Sequence, residues 1–407
     1  MEQNKDIVIV YGVDTQIGLS LVRELGKKNC EIVAVGKSND SLGLRSKYVT
    51  YPYVLSAKND QDKVEFLLAI EKQTSARYLL CVSEDDILFF NRVKEQIKPI
   101  KALVPNQESI EKVLSKDFTA QAAQKVGIET PKTTLLNHES ELAAIVDKLK
   151  YPVILKWSNP HDVMKFANEL SIKIEKLVYC YNKDELKQKI HSYAPLKQFP
   201  MLQEYCPGVG FGQFFFMHEG QALLRFQHQR VHEWPPEGGF SSLCRAIPVH
   251  KHEALQQQSI ALLQSINWQG VAMVEYRYDE TTGNAILMEI NGRFWGSLPL
   301  AYHANVPFAW YTYKILGLGE TPTERLVIAD NIQCRNTLVE LKRLVRIIFQ
   351  ADKIKDKSLH FSRIETLFAV IQGFFRPSMH YYLFSLDDIR PLFADWKILL
   401  KKLIRRA

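Results

Sequence analysis

No apolar run in this 407-residue chain approaches the ~20 residues that a helix needs to cross a bilayer. Its six cysteines, Cys30, Cys81, Cys180, Cys206, Cys244 and Cys334, form neither a Cys-x-x-Cys pair nor a Cys/His zinc spacing. A zinc module and a disulfide scaffold are thereby disfavoured, and the cysteines read as small apolar residues in a reducing compartment. Low-complexity tracts, internal repeats and any likeness to a nucleic-acid-binding module are absent. So is Gly-x-Gly-x-x-Gly. The first strand pattern, Asp6 to Tyr11, runs into Gly12-Val13-Asp14-Thr15-Gln16-Ile17-Gly18, which reads better as a plain strand-to-helix connection than as a dinucleotide site. Residues 1–6 lead straight into that strand without a signal-peptide pattern. A cytoplasmic protein with no transmembrane segment and no nucleic-acid partner is expected.

What is present is ordinary globular composition, 46% hydrophobic and 24% charged, in a chain long enough for two to three cores. Strand, Gly-turn, helix and a second strand at 31–35 open a doubly wound parallel α/β sheet. A further strand at 77–82 ends in Ser83-Glu84-Asp85-Asp86, acids that could bind a ligand at the strand's C-terminal edge but read better as the cap of the next helix. A second unit starts near Ser115 as an α+β body, with strands at 153–157, 177–181, 200–205, 213–217 and 222–228 and helices at 184–192 and 252–266. From about Thr321 the pattern is mostly helical, at 338–349, 364–375 and 391–406. The last of these is short, basic and amphipathic, and suits either an anionic lipid or acidic partner, or simple packing on its own domain.

The richest stretch is Val274-Glu275-Tyr276, then Asp279-Glu280-Thr281-Thr282-Gly283-Asn284, then Leu287-Met288-Glu289-Ile290-Asn291-Gly292-Arg293. A polar, Gly-containing turn between alternating apolar residues predicts a β-hairpin. A turn centred on Thr282 sets Glu275 opposite Glu289 and Met273 opposite Asn291, and alternation keeps Asn291 and Arg293 on the face of Glu289. Facing carboxylates repel across strands. A divalent cation with hard oxygen ligands, Mg²⁺ or Mn²⁺, would reverse the sign; a solvated hairpin face is the alternative.

Four other segments bear on this one. Lys116 stands at a helix start, where backbone N–H groups and a cation suit a phosphate. Lys156 ends the apolar run Tyr151-Pro152-Val153-Ile154-Leu155-Lys156, a place where lysines are often merely solvated. Gln203-Glu204-Tyr205-Cys206-Pro207-Gly208 is a strand stopping at a turn, either a crevice for an adenine edge or no more than a turn. Arg230 to Ser242, with His232, Gly238, Gly239 and Ser241, reads as a polar Gly-Gly loop suited to a carboxylate or amide substrate.

Taken in order, these segments resemble the ATP-grasp superfamily, of the carboxylate–amine ligase type related to biotin carboxylase and carbamoyl-phosphate synthase. Gly-Val-Ala-Met-Val-Glu-Tyr (270–276), Met-Glu-Ile-Asn-Gly-Arg-Phe-Trp-Gly-Ser (288–297) and Ala-Asn-Val-Pro-Phe (304–308) carry the resemblance, which covers roughly residues 1–319. It implies a pre-ATP-grasp Rossmann-like domain at 1–114 and a two-lobed ATP-grasp domain at 115–319, with its small lobe at about 150–205. A helical C-terminal appendage at 320–407 follows. It further implies ATP and Mg²⁺ (or Mn²⁺) as cofactors, Lys116 and Lys156 on the phosphates, and Gln203, Glu204, Tyr205 and Cys206 around adenine. Glu275, Glu289 and Asn291 would be metal ligands, and Arg293 would steady the transferred phosphate. The implied reaction activates a carboxylate as an acyl phosphate and joins it to an amine, with a homodimer as a common assembly. A kinase, a bicarbonate carboxylase and an inactive ATP-binding protein are the alternatives. One departure stands out: residues 158–170, where the superfamily has a glycine-rich clamp, contain no glycine.

Overall fold

Apolar runs alternating with capped helices build the first layer. In the computed structural model, which describes residues 6–157, 160–175 and 177–404, β1 (Ile7–Tyr11), β2 (Glu31–Gly36), β3 (Val49–Val54), β4 (Tyr78–Cys81) and β5 (Lys101–Ala102) form one sheet. Every neighbouring pair is parallel, in the order β3-β2-β1-β4-β5. Such strands need helical crossovers, and the sequence starts each helix with a side-chain cap. Thr15 Oγ1 accepts from Ile17 N at the head of the helix Gln16–Lys27, and Ser83 Oγ accepts from Asp86 N at the head of Glu84–Val93.

A small sheet follows, made of β6 (Thr133–Thr134), β7 (Val153–Lys156), β8 (Val178–Cys180) and β9 (Met201–Glu204) in the order β6-β9-β7-β8. Its pairs are antiparallel, and Val153, Leu155, Leu202 and Cys180 close a hydrophobic core confined to this unit.

The largest sheet holds β10 (Val209–His218), β11 (Gln221–Trp234), β12 (Phe240–Ala246), β13 (Gly270–Tyr278), β14 (Ala285–Asn291), β15 (Gln333–Arg335) and β16 (Met379–Tyr381). Their order is β14-β13-β10-β11-β12-β15-β16. Alternation along β10 feeds two cores: Phe214 and Phe216 join Val8 and Leu21, whereas Phe211 and Phe215 join Ile9 and Phe90. The first sheet and the large sheet therefore share both of their cores.

Three expectations need revision. Arg230 to Ser242 is not one loop: β11 runs to Trp234 and β12 begins at Phe240, which leaves only a short turn between them. Charged residues in the alternating stretch Arg-Val-His-Glu-Trp look like a loop in sequence, but a strand holds them because Arg230 and Glu233 find partners across the sheet and His232 finds one on the helix Thr337–Phe349. The glycine-free stretch after Lys156 is largely helix, Pro160–Glu169, with a proline suited to a first turn; Ser158 and Asn159 lie outside the described residues. The C-terminal region has its helices, Thr337–Phe349, Arg363–Gly373 and Arg390–Ile404, and also adds β15 and β16 to the large sheet. Arg405 and Arg406 of the expected last helix lie outside the described residues.

A buried ion pair fastens this C-terminal region to the first layer. Arg23 Nε lies 2.9 Å from Asp388 Oδ2, both side chains are sealed from solvent, and Arg23 Nη2 donates to the carbonyls of Leu383 and Asp388. Ser46 Oγ and the Lys47 amide complete the cage around the carboxylate. Removing one member strands the other without water, so Arg23→Ala is expected to cost about 3–5 kcal/mol in chemical denaturation. One helical residue away, burial pushes the Glu24 carboxyl up to about 8, against the pull of the Trp310 and Ala309 amides and of Lys28. A raised folded-state value means that stability is fully present below the unfolded value of about 4.5 and is lost as pH rises through about 8. Glu24→Gln is expected to flatten thermal stability across that window; an unchanged pH slope would refute this assignment.

Candidate active site

Five elements converge on one face of the large sheet. β13 and β14 pair so that Glu275 lies opposite Glu289 and Met273 opposite Asn291, the register the hairpin pattern predicts. Nearer the turn the register slips: Tyr276 pairs with Leu287 and Tyr278 with Ala285. A bulge at Met288 absorbs the extra residue and keeps both carboxylates on one side.

The central strand supplies room for this cluster. Gly212 on β10 pairs with Glu275 on one side and His228 on the other, so Glu289, Glu275, Gly212 and His228 form one row. A Cβ on Gly210 would sit 2.5 Å from Arg230 Cδ and 2.5 Å from Glu233 Oε1. Only a residue without a side chain lets Arg230 lie across β10 and reach the next strand. There Arg230 Nη2 meets Glu275 Oε2 at 2.6 Å, while its Nη1 donates to the Gly239 carbonyl at 2.7 Å and to Glu233 Oε1 at 3.3 Å. Glu233 is shared with Arg277 at 3.3 Å, and Arg277 also donates to the Gly208 carbonyl. Burial, joined by the facing charge of Glu289, pushes the Glu275 carboxyl up against the pull of Arg230.

Asn291 links the rest. Its Nδ2 donates to Glu289 Oε1 at 3.0 Å and its Oδ1 accepts from Arg293 Nη2 at 3.1 Å. Arg293 Nε in turn bonds Glu84 Oε1 at 3.1 Å, at the head of the helix Glu84–Val93. The site thus reaches from the large sheet to the C-terminal edge of the first one, where open α/β sheets usually bind ligands. Among the described residues no group of three or more His, Cys, Asp and Glu side chains gathers as a metal site, and Asn291 turns its Nδ2 to Glu289 and its Oδ1 to Arg293. Two carboxylates set face to face are hard-oxygen donors of the kind that suit Mg²⁺ or Mn²⁺, and the Asn291 amide would have to turn its oxygen towards them to add a third.

The other expected residues stand on separate elements, a helix and the small sheet. Lys116 is the first residue of the helix Lys116–Lys125, capped by Ser115, and that helix packs on β14. Lys156 ends β7 on the face of Ile154, away from the small core, and Gln203 shares that face because it pairs with Ile154. Glu204 pairs with Val153 and therefore points to the other face, so at this position only the backbone borders the Lys156 side. Tyr205 is held by Asp356 at 3.0 Å, and Cys206 is buried. Near the β11–β12 turn, Tyr179 donates to the Glu237 carbonyl at 2.9 Å and ties the small sheet to the large one.

The expected substrate set separates. Arg230 and Gly239 belong to the carboxylate cluster, and Gly238 forms the turn with a φ of +128°. Ser241 is buried opposite Glu233. His232 departs: register shifts on both sides of it interrupt the alternation, and its Nδ1 meets Glu340 Oε2 at 2.8 Å. Ser242 bonds the same carboxylate. His232 is accordingly tied to the C-terminal region and not to Arg230.

Sequence reading missed three participants. Glu233 lies inside the supposed loop, and Glu84 belongs to an acidic run that reads as a helix cap in preference to a ligand site. His228 is fully buried beside Arg230, bonds Ser297 Oγ at 3.1 Å, and is pushed down to about 3 by burial and then by the Arg230 charge. Period-2 alternation across Gln-His-Gln-Arg would have placed it with Arg230, had the strand been extended that far. The coupling at the centre can be measured directly. Arg230→Met and Glu275→Gln are each expected to cost about 2–4 kcal/mol, with the double variant well below their sum. Simple additivity in denaturation would show that the pair is not coupled.

No family model matches the chain, and no curated protein matches it. Solved structures do. The biotin carboxylase domain of Hydrogenobacter thermophilus 2-oxoglutarate carboxylase, in complex with MgADP and bicarbonate, aligns with a TM-score of 0.61 at 16% identity, over 82% of this chain and 74% of that one. L-amino acid ligase from Bacillus licheniformis aligns at 0.55 and 15%, over 78% and 75%. An ADP complex of N5-carboxyaminoimidazole ribonucleotide synthetase aligns at 0.61 and 13%, over 86% of each. The chain therefore has the fold these structures share, the ATP-grasp fold.

Proposed function

We propose that the chain is an ATP- and Mg²⁺-dependent ligase that activates a substrate carboxylate as an acyl phosphate and joins it to an amine. The observation that carries this reading is the pairing of Glu275 with Glu289 beside Asn291 and Arg293, in a fold whose solved examples include ADP and MgADP complexes and an amino acid ligase. Glu275, Glu289 and Asn291 would hold the cation, which when bound supplies charge neutralisation to the phosphates. Lys116, on a helix that packs against β14, and Lys156, at the end of β7, would bring positive charge to the nucleotide. The strand end from Gln203 to Cys206 offers the adenine a backbone edge, with Glu204 contributing main-chain rather than side-chain atoms.

The chemistry demands positioning more than covalent help. A carboxylate oxygen attacks the γ-phosphorus, and the bond to the β-phosphate bridge breaks with release of ADP. The amine nitrogen then attacks the acyl carbon; the carbon–oxygen bond to phosphate breaks, phosphate departs, and the nitrogen loses a proton. Arg293, anchored by Glu84 and Asn291, would hold the transferred phosphoryl oxygens. Arg230 would receive a substrate carboxylate, a reading supported by its bond to the carboxylate of Glu275 and to Gly239 in the β11–β12 turn. Gly238 and Ser241 border the same turn.

Glu289→Gln and Asn291→Ala are each expected to reduce Mg-ATP-dependent ADP release by about 10²-fold or more with the far-UV circular dichroism unchanged. Full turnover in either would remove the cation assignment. Lys156→Ala is expected to weaken ATP binding about tenfold by calorimetry, the loss of one charge-assisted contact. Across a panel of acids and amines, ADP formed only when both classes are present supports ligation, whereas ATP binding without turnover on any combination counts against it.

A further inference from the structure

We propose that the C-terminal helices form a docking face for an anionic membrane surface. They leave many large apolar side chains in solvent. Of the 21 large hydrophobic side chains that stand exposed among the described residues, the 13 from Leu341 onward fall between Leu341 and Trp396. Such crowding in one region is not the scatter expected of an ordinary surface.

The spacing shows that these side chains form stripes. On the helix Arg363–Gly373 and the turn after it, Ile364, Phe368, Ile371 and Phe375 recur at helical intervals, and they are 70%, 59%, 46% and 81% exposed. The helix Thr337–Phe349 packs beside it and exposes Leu341, Val345 and Phe349, four residues apart, while its buried side holds Val339 and Ile347 together with the charged Glu340 and Arg343. The third helix, Arg390–Ile404, exposes Phe393 and Trp396. The three meet at an apolar cavity of about 270 Å³ lined by Leu338, Phe374, Leu392 and Trp396, open to receive part of an acyl chain.

Charge identifies the occupant. Residues 337–407 contain 14 Lys and Arg against 7 Asp and Glu, so this stretch carries +7, the whole net charge of the chain. Exposed cations adjoin the stripes in sequence: Lys342 beside Leu341, Arg363 beside Ile364, Arg376 beside Phe375 and Lys397 beside Trp396. An apolar stripe flanked by Lys and Arg, with aromatic residues among it, is what lies in the plane of an anionic bilayer surface. A second copy fits less well, because a symmetric contact would set this cationic region against itself. None of the described helices is long and apolar enough to cross a membrane, so the contact is with the surface.

Cosedimentation with vesicles tests this, without nucleotide and independently of the ligase reading. The whole chain is expected to pellet with phosphatidylcholine vesicles containing about one third phosphatidylglycerol, and at least ~10-fold more weakly with phosphatidylcholine alone. Phe368→Ser with Phe375→Ser is expected to lower the affinity at least ~10-fold, and Lys342→Glu with Arg376→Glu to abolish the preference for anionic lipid. All four positions are exposed, so thermal melting should be unaltered in both variants, and a melt that falls would be met by repeating the assay with Ile364→Ser. No sedimentation, equal sedimentation on both vesicle types, or variants that bind as well as the parent would overturn the proposal. So would light scattering that finds a dimer which Phe368→Ser with Phe375→Ser dissolves, since the face would then belong to a second copy.

Discussion

The row formed by Glu289, Glu275, Gly212 and His228 is the constraint on which the rest of the molecule turns. Two carboxylates opposed on neighbouring strands destabilise a hairpin unless positive charge is brought to them. In this structure Arg230 brings it from two strands away, passing over a strand that has glycine at 210 where any side chain would collide. Glu233 then balances Arg230 and Arg277 together, and Asn291 passes the network on to Arg293 and Glu84. A cluster of this kind is costly to assemble, and it stands on a seven-stranded sheet with a core on each face. Precise placement of charge is what phosphoryl chemistry requires of a protein.

The C-terminal region completes this architecture instead of merely following it. β15 and β16 extend the sheet that bears the site, Asp388 is locked onto Arg23 of the first layer, and Glu340 holds His232 and Ser242 beside the β11–β12 turn. Asp356 reaches the small sheet at Tyr205, and the Lys357 amide donates to Tyr181. One segment therefore touches all three sheets while leaving its own apolar stripes uncovered. Its exposure of large apolar side chains departs from the usual arrangement, and that departure motivates the membrane-facing role.

Much of this was legible residue by residue. Parallel strands buried on both faces read as apolar runs, and capped helices announce themselves by Thr15 and Ser83. A two-residue period across Glu275 and Glu289 fixes their register even though the bulge at Met288 lay hidden. The β11 segment was illegible for a definite reason: its charges are satisfied by partners more than forty residues away, as Arg230 is by Glu275, and a local reading takes an unpartnered charge run for a loop. The same applies to His232, whose partner Glu340 lies in a region with little family resemblance.

Sequence alone determined many of the elements and their apolar faces, though not the far end of β11 or β12, β15 and β16, because strand and helix periods are local properties of the backbone. It also determined the facing pair of carboxylates, since one hairpin turn sets that register. Tertiary structure decided which cation answers them, that Gly210 clears its path, that Glu84 joins the site from another sheet, and that the C-terminal strands close the large one. Each of these depends on contacts between distant segments, where the energy lies in burial and charge pairing and no local pattern records the partner.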